Sequence, residues 1–398
     1  MVKVAILGFG VVGSGVAELL RKNSEKIAAT ARCEVELKYI LDVKNSPESE
    51  FSEKIIQDFE TIEKDEEVTI VAECIGGKGA ALDYVRRALL AGKSVVTSNK
   101  ELIASCGLEL LQIAKQQRVS LLFEASVGGG IPIIRPLSQC LASNRIEEIY
   151  GILNGTTNYI LTQMIQCEKS FEEALKEAQR LGYAEADPTA DVEGIDACRK
   201  ISILADLCFG KNVPPEKVET EGIKNVTAQD VTLAQDLGYG IKLLGRAFRT
   251  NAESEISAYV APHLVAANTL LANVSDVMNG IVVRGNAVGQ CLFYGPGAGQ
   301  MPTASAVVAD IIDAALHADD KKYINWEAEA PGCFIPGAEV ESRWFLRTSA
   351  LPEKVAAILE NAKISKLTDQ CAVITPAMKR EELLNLNLPI LSAFRVLE

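Results

Sequence analysis

The chain has 398 residues, 48% of them apolar and 23% charged, and a net charge of −13. That length predicts two or three domains with buried cores, and the acidic balance excludes non-specific binding to nucleic acid or anionic membranes. No apolar run reaches the length of a membrane span, and the N-terminal MVKVAILGFG lacks the pattern of a signal peptide.

The first 129 residues alternate strands with helices. VKVAIL is a strand, GSGVAELLRK a helix, EVELKYILD a second strand and VTIVAECIG a third. The helical ALDYVRRALLAG, the strand KSVVTS, an ELLQIAKQQ helix and the strand SLLFEAS follow. This alternation predicts a Rossmann-type, doubly wound parallel sheet, so the fold class is α/β. Between the first strand and helix stands Gly8-Phe9-Gly10-Val11-Val12-Gly13. In that position the three glycines of a G-x-G-x-x-G loop serve in turn the tight turn, the approach of a pyrophosphate, and close helix–strand packing. Asp42, at the end of the second strand, would accept hydrogen bonds from adenosine ribose hydroxyls, which favours NAD. Lys44 offers a phosphate a cation, so NADP stays open.

Residues 130–320 are expected to form an α+β catalytic and dimerisation domain. Helices dominate up to Gly210, with a capping signal at Ser170-x-x-Glu173. The strand-like AFRTN, ISAYVAPHLV, NGIVVRG and GQCLFYG follow, and a helix over 308–320 is expected to return to the first domain. Between Gly182 and Lys200 lie five carboxylates, and the last part of this stretch reads as a helix running into the apolar ISILADLCFG. Asp196 and Lys200 therefore share a face. The pair reads either as a solvated salt bridge or as a lysine buried where the helix enters the core, where desolvation prepares an amine for proton chemistry near neutral pH.

The tail, 341–398, reads as a small βαββαβ domain of ferredoxin-like order. Ten scattered cysteines without a CxxC pair suggest reduced, buried thiols in a cytoplasmic protein. With only His263 and His317 present, a general acid or base is expected from Lys, Asp or Glu.

Six segments together resemble homoserine dehydrogenase: SNKELIA at 98–104, FEASVGGGIPII at 123–134, GILNGTTNYIL at 151–161, GYAEADPTADVEGIDACRK at 182–200, LGYGIKLL at 237–244 and YGPGAGQMPTASAVVAD at 294–310. The resemblance implies NAD(P)-dependent interconversion of L-aspartate 4-semialdehyde and L-homoserine, on the route to threonine, methionine and isoleucine. It implies that Lys200 transfers the proton of the reacting oxygen, with Lys100 as a second active-site lysine and Asp196 beside Lys200. Glu185, Asp191, Gly155, Thr156 and Tyr183 are the implied substrate contacts, Glu185 holding the ammonium. Ile75, Gly76, Ser98, Lys100 and Gly299 join the glycine loop and Asp42 as cofactor contacts. Glu124, Val127, Gly129 and Ile131 match the family's site for a monovalent cation, usually Na⁺, most of whose ligands are backbone carbonyls.

Leu41 stands where many members carry an arginine, which weakens the case for NADP. The tail resembles a short ACT domain. Its TSALPEK replaces the glycine loop of ligand-binding examples, so it is expected to build a homodimer or homotetramer rather than bind an effector. Aspartate-semialdehyde dehydrogenase chemistry needs a thiolate with a histidine base, and no histidine precedes His263. The remaining alternative is a dinucleotide-binding sensor without catalysis, against which Lys100, Glu185, Asp196 and Lys200 together argue.

Overall fold

A computed structural model describes residues 1–44, 48–250, 255–321, 323–359, 362–367 and 369–397. Asn251 in AFRTN, residues 360–361 in PEKVAAILENA, Thr368 in ISKLTD and the final Glu398 lie outside them. The chain divides into two compact units. The first comprises Met1–Ser143, Gly210–Asn212 and Pro296–Ala328; the second comprises Asn144–Phe209, Val213–Gly295 and Glu329–Glu398.

Among the described residues the first unit is built on six strands, β1 (Val2–Leu7), β2 (Val35–Leu41), β3 (Ile55–Ile56), β4 (Val68–Glu73), β5 (Ser94–Thr97) and β6 (Leu121–Leu122). They form one sheet in the order β3-β2-β1-β4-β5-β6, every neighbouring pair parallel. This is the doubly wound order whose switch point lies beside β1. The near-continuous apolar strands VKVAIL and VTIVAE suit a sheet covered on both faces. Val4 and Ile6 of β1 pack with Val16, Ala17 and Leu20 of the helix Val11–Lys22. They share that core with Ala304, Val307 and Ile311 of the helix Gln300–Leu316. Gly15 permits this helix pairing, because a Cβ there would stand 3.0 Å from the Ala304 Cβ. SLLFEAS contributes only two strand residues before turning into a short 3₁₀ segment, Glu124–Ser126.

Among the described residues the second unit carries ten strands: β7 (Ile146–Ile152), β8 (Glu219–Thr220), β9 (Tyr239–Arg249), β10 (Ile256–Ala266), β11 (Met278–Gly285), β12 (Gly289–Pro296), β13 (Trp344–Thr348), β14 (Ile364–Lys366), β15 (Cys371–Ile374) and β16 (Ile390–Val396). The order is β12-β11-β7-β9-β10-β16-β13-β15-β14, with β8 also on β10. The strand β7 interrupts a region expected to be helical; its largely buried IEEIYGI pairs with β11 and β9 in the middle of the sheet. The tail keeps the expected βαββαβ order, but its strands do not form a separate sheet. Its β16 pairs in parallel with β10 at His263↔Arg395 and Leu264↔Val396, so that edge is used within the chain. Arg347 of β13 adds a buried ion pair to Asp230, 2.6 Å away on the helix Ala228–Leu237.

The β10–β16 junction contains a fully buried histidine. His263 donates from Nδ1 to the Ala261 carbonyl at 2.8 Å and stacks on Tyr259. Burial pushes its pKa down to about 3, helped by the charges of Arg246 and Arg395. The folded chain keeps this ring neutral, whereas the unfolded chain protonates it near pH ~6.5. Between about pH 6.5 and 3 the unfolded state therefore binds the extra proton, and stability falls as the pH falls. The melting temperature should drop across the upper part of that window, and drop less for His263→Phe. Parallel pH profiles for the two proteins would refute the assignment.

All ten cysteines are free thiols, but only Cys198 and Cys371 are buried and Cys140 and Cys167 are exposed. The expectation of buried thiols is therefore corrected in part: an apolar sequence neighbour does not decide which way a cysteine points.

Candidate active site

In the first unit the glycine loop has the geometry that its spacing predicts. Gly8 takes φ +92°, a left-handed conformation. A Cβ on Gly13 would lie 1.9 Å from the Gly8 carbonyl oxygen, so helix and loop touch there. No heavy atom approaches within 4 Å of a Cβ built on Gly10, which leaves the space that a pyrophosphate needs. Val11 and Val12 open the helix, whose N-terminal amides favour an anion. The Asp42 carboxylate is held by the backbone, accepting from Phe9 N–H at 2.7 Å and Lys44 N–H at 2.8 Å. These residues fit a dinucleotide.

The next loop rests on a residue that no motif announces. Glu73, at the end of β4, is fully buried. One carboxylate oxygen accepts from Ile75 N–H at 2.8 Å and Gly76 N–H at 3.0 Å, and the other from the Thr97 hydroxyl. Thr97 Oγ1 in turn accepts from Asn99 N–H at 3.0 Å, and the Asn99 amide donates to Gly77 O at 2.6 Å. Glu73 thus fixes the cofactor candidates Ile75 and Gly76 and ties them to the Ser98-Asn99-Lys100 turn. Lys100 is half-buried at the first position of the helix Lys100–Gln117, which Asn99 caps. Gly299 adopts φ +120° and caps the helix Gln300–Leu316; Gln300 donates to the Ser14 hydroxyl at 3.1 Å, beside the glycine loop. A carboxylate as the last residue of an apolar strand, just before two glycines, is the signal in the sequence that marks Glu73.

The segment expected to hold a cation is wholly buried from Glu124 to Gly129, and Ile131 is buried too. Gly128 and Gly129 take φ +76° and +55°. A Cβ at Gly129 would meet the Gly297 carbonyl oxygen at 2.5 Å. The Glu124 carboxylate accepts from the backbone N–H groups of Ile133, Ile134 and Arg135 at 2.6, 2.8 and 2.8 Å. Both of its oxygens are thus engaged by the backbone. Among the described residues no cluster of His, Cys, Asp and Glu has the makeup of a side-chain metal site. Beneath the loop Asp310 accepts from Glu124 N–H at 2.8 Å and pairs with Arg135 at 2.6 Å. Burial, reinforced by the Glu124 charge, pushes its pKa up to about 8.

In the second unit Lys200 is buried. The helix Ile195–Phe209 carries Asp196 in its first turn and Lys200 one turn on. Lys200 Nζ donates to Asp196 Oδ2 and to the Leu153 carbonyl, both at 2.7 Å. The side chains are 9% and 6% exposed, so the solvated reading of this pair falls. Leu153 follows β7, and the unforeseen strand is thus what brings an acceptor to the lysine. Asn154 then caps the helix Gly155–Gln166, accepting from Thr157 N–H at 2.9 Å. Its amide nitrogen donates to Asp191 Oδ1 at 2.7 Å and Asp196 Oδ2 at 2.8 Å, joining two predicted acids. Burial raises the Asp191 pKa, and the Asn154 hydrogen bond opposes the rise. The Thr156 hydroxyl donates to Tyr183 O at 2.6 Å. Lys200, Asp196 and Asp191 therefore belong to one hydrogen-bonded constellation organised by Asn154, and Thr156, which bonds to Asp191 as well as to Tyr183 O, attaches Tyr183 to it. Glu185 is exposed, and its carbonyl accepts from Gln179 at 3.1 Å. A buried ammonium held between a carboxylate and a carbonyl can exchange a proton with a reacting oxygen.

Comparisons with known proteins agree in kind. A family model described as homoserine dehydrogenase matches residues 132–312, and one described as homoserine dehydrogenase, NAD binding domain, matches residues 8–124. A homoserine dehydrogenase of Neisseria gonorrhoeae is 41% identical over 379 residues, covering 92% of this chain and 86% of its own. The crystal structure of a homoserine dehydrogenase from Thiobacillus denitrificans is 37% identical, with TM-score 0.92 over 100% of this chain and 98% of that one. A hyperthermophilic archaeal homoserine dehydrogenase in complex with NADPH is 30% identical, with TM-score 0.68 over 81% and 99%.

Proposed function

The chain belongs to the homoserine dehydrogenase family, and from that premise we propose the roles of its residues. It is an NAD(P)-dependent oxidoreductase that interconverts L-homoserine and L-aspartate 4-semialdehyde, and its first unit carries the nicotinamide-dinucleotide domain.

Lys200 is the proton-transfer group. When bound, the nicotinamide accepts or supplies the hydride. In the oxidation direction the Lys200 amine takes the hydroxyl proton of homoserine while the C–O bond becomes a carbonyl; in reduction the ammonium returns it to the forming alkoxide. The observation that carries this reading is the buried Lys200 held by Asp196 and Leu153 O at 2.7 Å. Asp196 and Asn154 orient the lysine, and Asp191, Gly155, Thr156 and Tyr183 line the seat of the substrate. Glu185 binds the substrate ammonium, and its exposure leaves it open to a solute. Lys100 supplies the second cation that the reaction uses.

The cofactor contacts are the loop Gly8–Gly13, Asp42, Ile75, Gly76, Ser98, Lys100 and Gly299. NAD is preferred, because the anchored Asp42 carboxylate suits ribose hydroxyls and repels a 2′-phosphate. Comparing kcat/KM for the two cofactors tests this. A higher value is expected with NAD, with Asp42→Ala narrowing the gap; an NADP preference in the unaltered protein would overturn it. Na⁺ is the cation for the carbonyls of Glu124, Val127, Gly129 and Ile131. Residues 1–129, 130–320 and 341–398 act as the dinucleotide, catalytic and ACT-like modules. Assembly into a homodimer or homotetramer is supported by the edge strand β12, where Tyr294 is 56% exposed. No helix among the described residues is long and apolar enough to cross a membrane. Free thiols throughout support a cytoplasmic setting.

A further inference from the structure

The motif LGYGIKLL contains a lysine that the proton and hydride transfers do not use. Lys242 sits inside β9 and is 3% exposed, an unusual place for an ammonium. Its Nζ donates to the Asn158 side-chain carbonyl at 3.0 Å and the Val274 backbone carbonyl at 2.6 Å. Burial lowers its pKa to about 8, and the charge of Asp276 opposes the shift.

The two acceptors lie on different elements. Asn158 is one turn into the helix Gly155–Gln166, and Val274 begins the loop before β11. Asn158 closes the triangle, its amide nitrogen donating to Val274 O at 3.2 Å and Met278 O at 3.1 Å. One turn further, Thr162 Oγ1 accepts from Asp276 N–H at 3.1 Å. The loop 274–278 is therefore stitched along the first half of that helix. At the helix start there is no slack: a Cβ on Gly155 would lie 2.6 Å from the Val277 carbonyl oxygen. Any shift of the loop is felt at Asn154-Gly155-Thr156, the turn whose Asn154 joins Asp191 to Asp196.

We propose that Lys242 is a positioning residue for the substrate: through Asn158 and Val274 it holds the 274–278 loop against the Gly155 turn, and so sets where homoserine lies relative to Lys200. This rests on reading the Asn154–Thr156 turn as part of the substrate seat. Lys242 touches no reacting atom in this scheme. Its effect passes through the backbone, so it acts on the substrate and not on the cofactor.

The test compares Lys242→Met, Asn158→Ala and Thr156→Val in the full-length protein. Lys242→Met should lower kcat/KM for homoserine by about 10²-fold, the scale of a misplacement of about 1 Å, while the cofactor Kd stays unchanged. Asn158→Ala should show the same split, and it decides the matter if Lys242→Met does not fold. Unchanged kcat/KM for homoserine in the folded variants would overturn the inference. So would a loss of cofactor binding parallel to the loss of homoserine turnover, because that marks general destabilisation. Thr156→Val separates the premise from the inference. If it too lowers kcat/KM for homoserine, the turn is part of the seat and the Lys242 result stands alone. If it leaves turnover intact, the premise fails and the inference with it.

Discussion

Lys200→Met should lower kcat by at least about 10²-fold, the usual scale for loss of a general acid–base group, while the dinucleotide still binds. Methionine keeps most of the length of the side chain and removes only the ammonium. The variant leaves Asp196 buried beside Asn154 without its lysine, and breaking such a pair destabilises by about 3–5 kcal/mol. A lowered melting temperature is therefore expected as well. Lys200→Arg separates charge from proton transfer. The guanidinium keeps the positive charge but does not deprotonate in proteins, so it should not restore oxidation of homoserine. Steady-state kinetics on both variants check this. Near-normal kcat in either would refute the role given to Lys200.

Gly13→Ala should abolish productive cofactor binding, whereas Gly10→Ala should weaken binding without harming the fold. The two glycines look alike in the motif but differ in what surrounds them. At position 13 the new Cβ would collide with Gly8 O at 1.9 Å, and with the Ile6 side chain at 3.3 Å behind it. Gly8 cannot retreat freely, because its N–H is bound to Leu41 O at 2.8 Å in the sheet. Overpacking of this kind costs about 1–3 kcal/mol and displaces backbone. At position 10 nothing stands within 4 Å, so the added methyl is accommodated until a pyrophosphate must occupy that space. Thermal melts with and without NAD read both effects. A lowered melting point of the free protein is expected for Gly13→Ala alone, and a reduced NAD-induced stabilisation for both. An undisturbed NAD shift in Gly13→Ala would contradict the loop assignment.

Much of this is legible in the sequence because the elements concerned are local. The spacing of the glycine loop, the Ser170–Glu173 capping box and the helix carrying Asp196 and Lys200 depend on neighbours a few residues away; Asp42 reads as a strand end, although one of the amides that hold it, Phe9 N–H, is 33 positions away. The capping box forms as its spacing predicts. What escapes reading depends on contacts distant in sequence. Lys200 leans on Leu153, across 47 positions, and Asn154 reaches Asp196 across 42. Glu73 looks like the end of a strand until its two amides and Thr97 are in place. The strand β7 is hidden because IEEIYGI follows a helical stretch and owes its state to partners on β9 and β11. The tail reads in the right order but not as an extension of the larger sheet, since two residue pairs between β10 and β16 make that join.

The most direct measurement is reduction of NAD or NADP by L-homoserine with the purified protein, followed by the absorbance of the reduced nicotinamide. The predicted result is cofactor reduction that scales with enzyme, requires homoserine and is lost in Lys200→Met. No homoserine-dependent reduction with either cofactor, or full activity in Lys200→Met, would contradict the account.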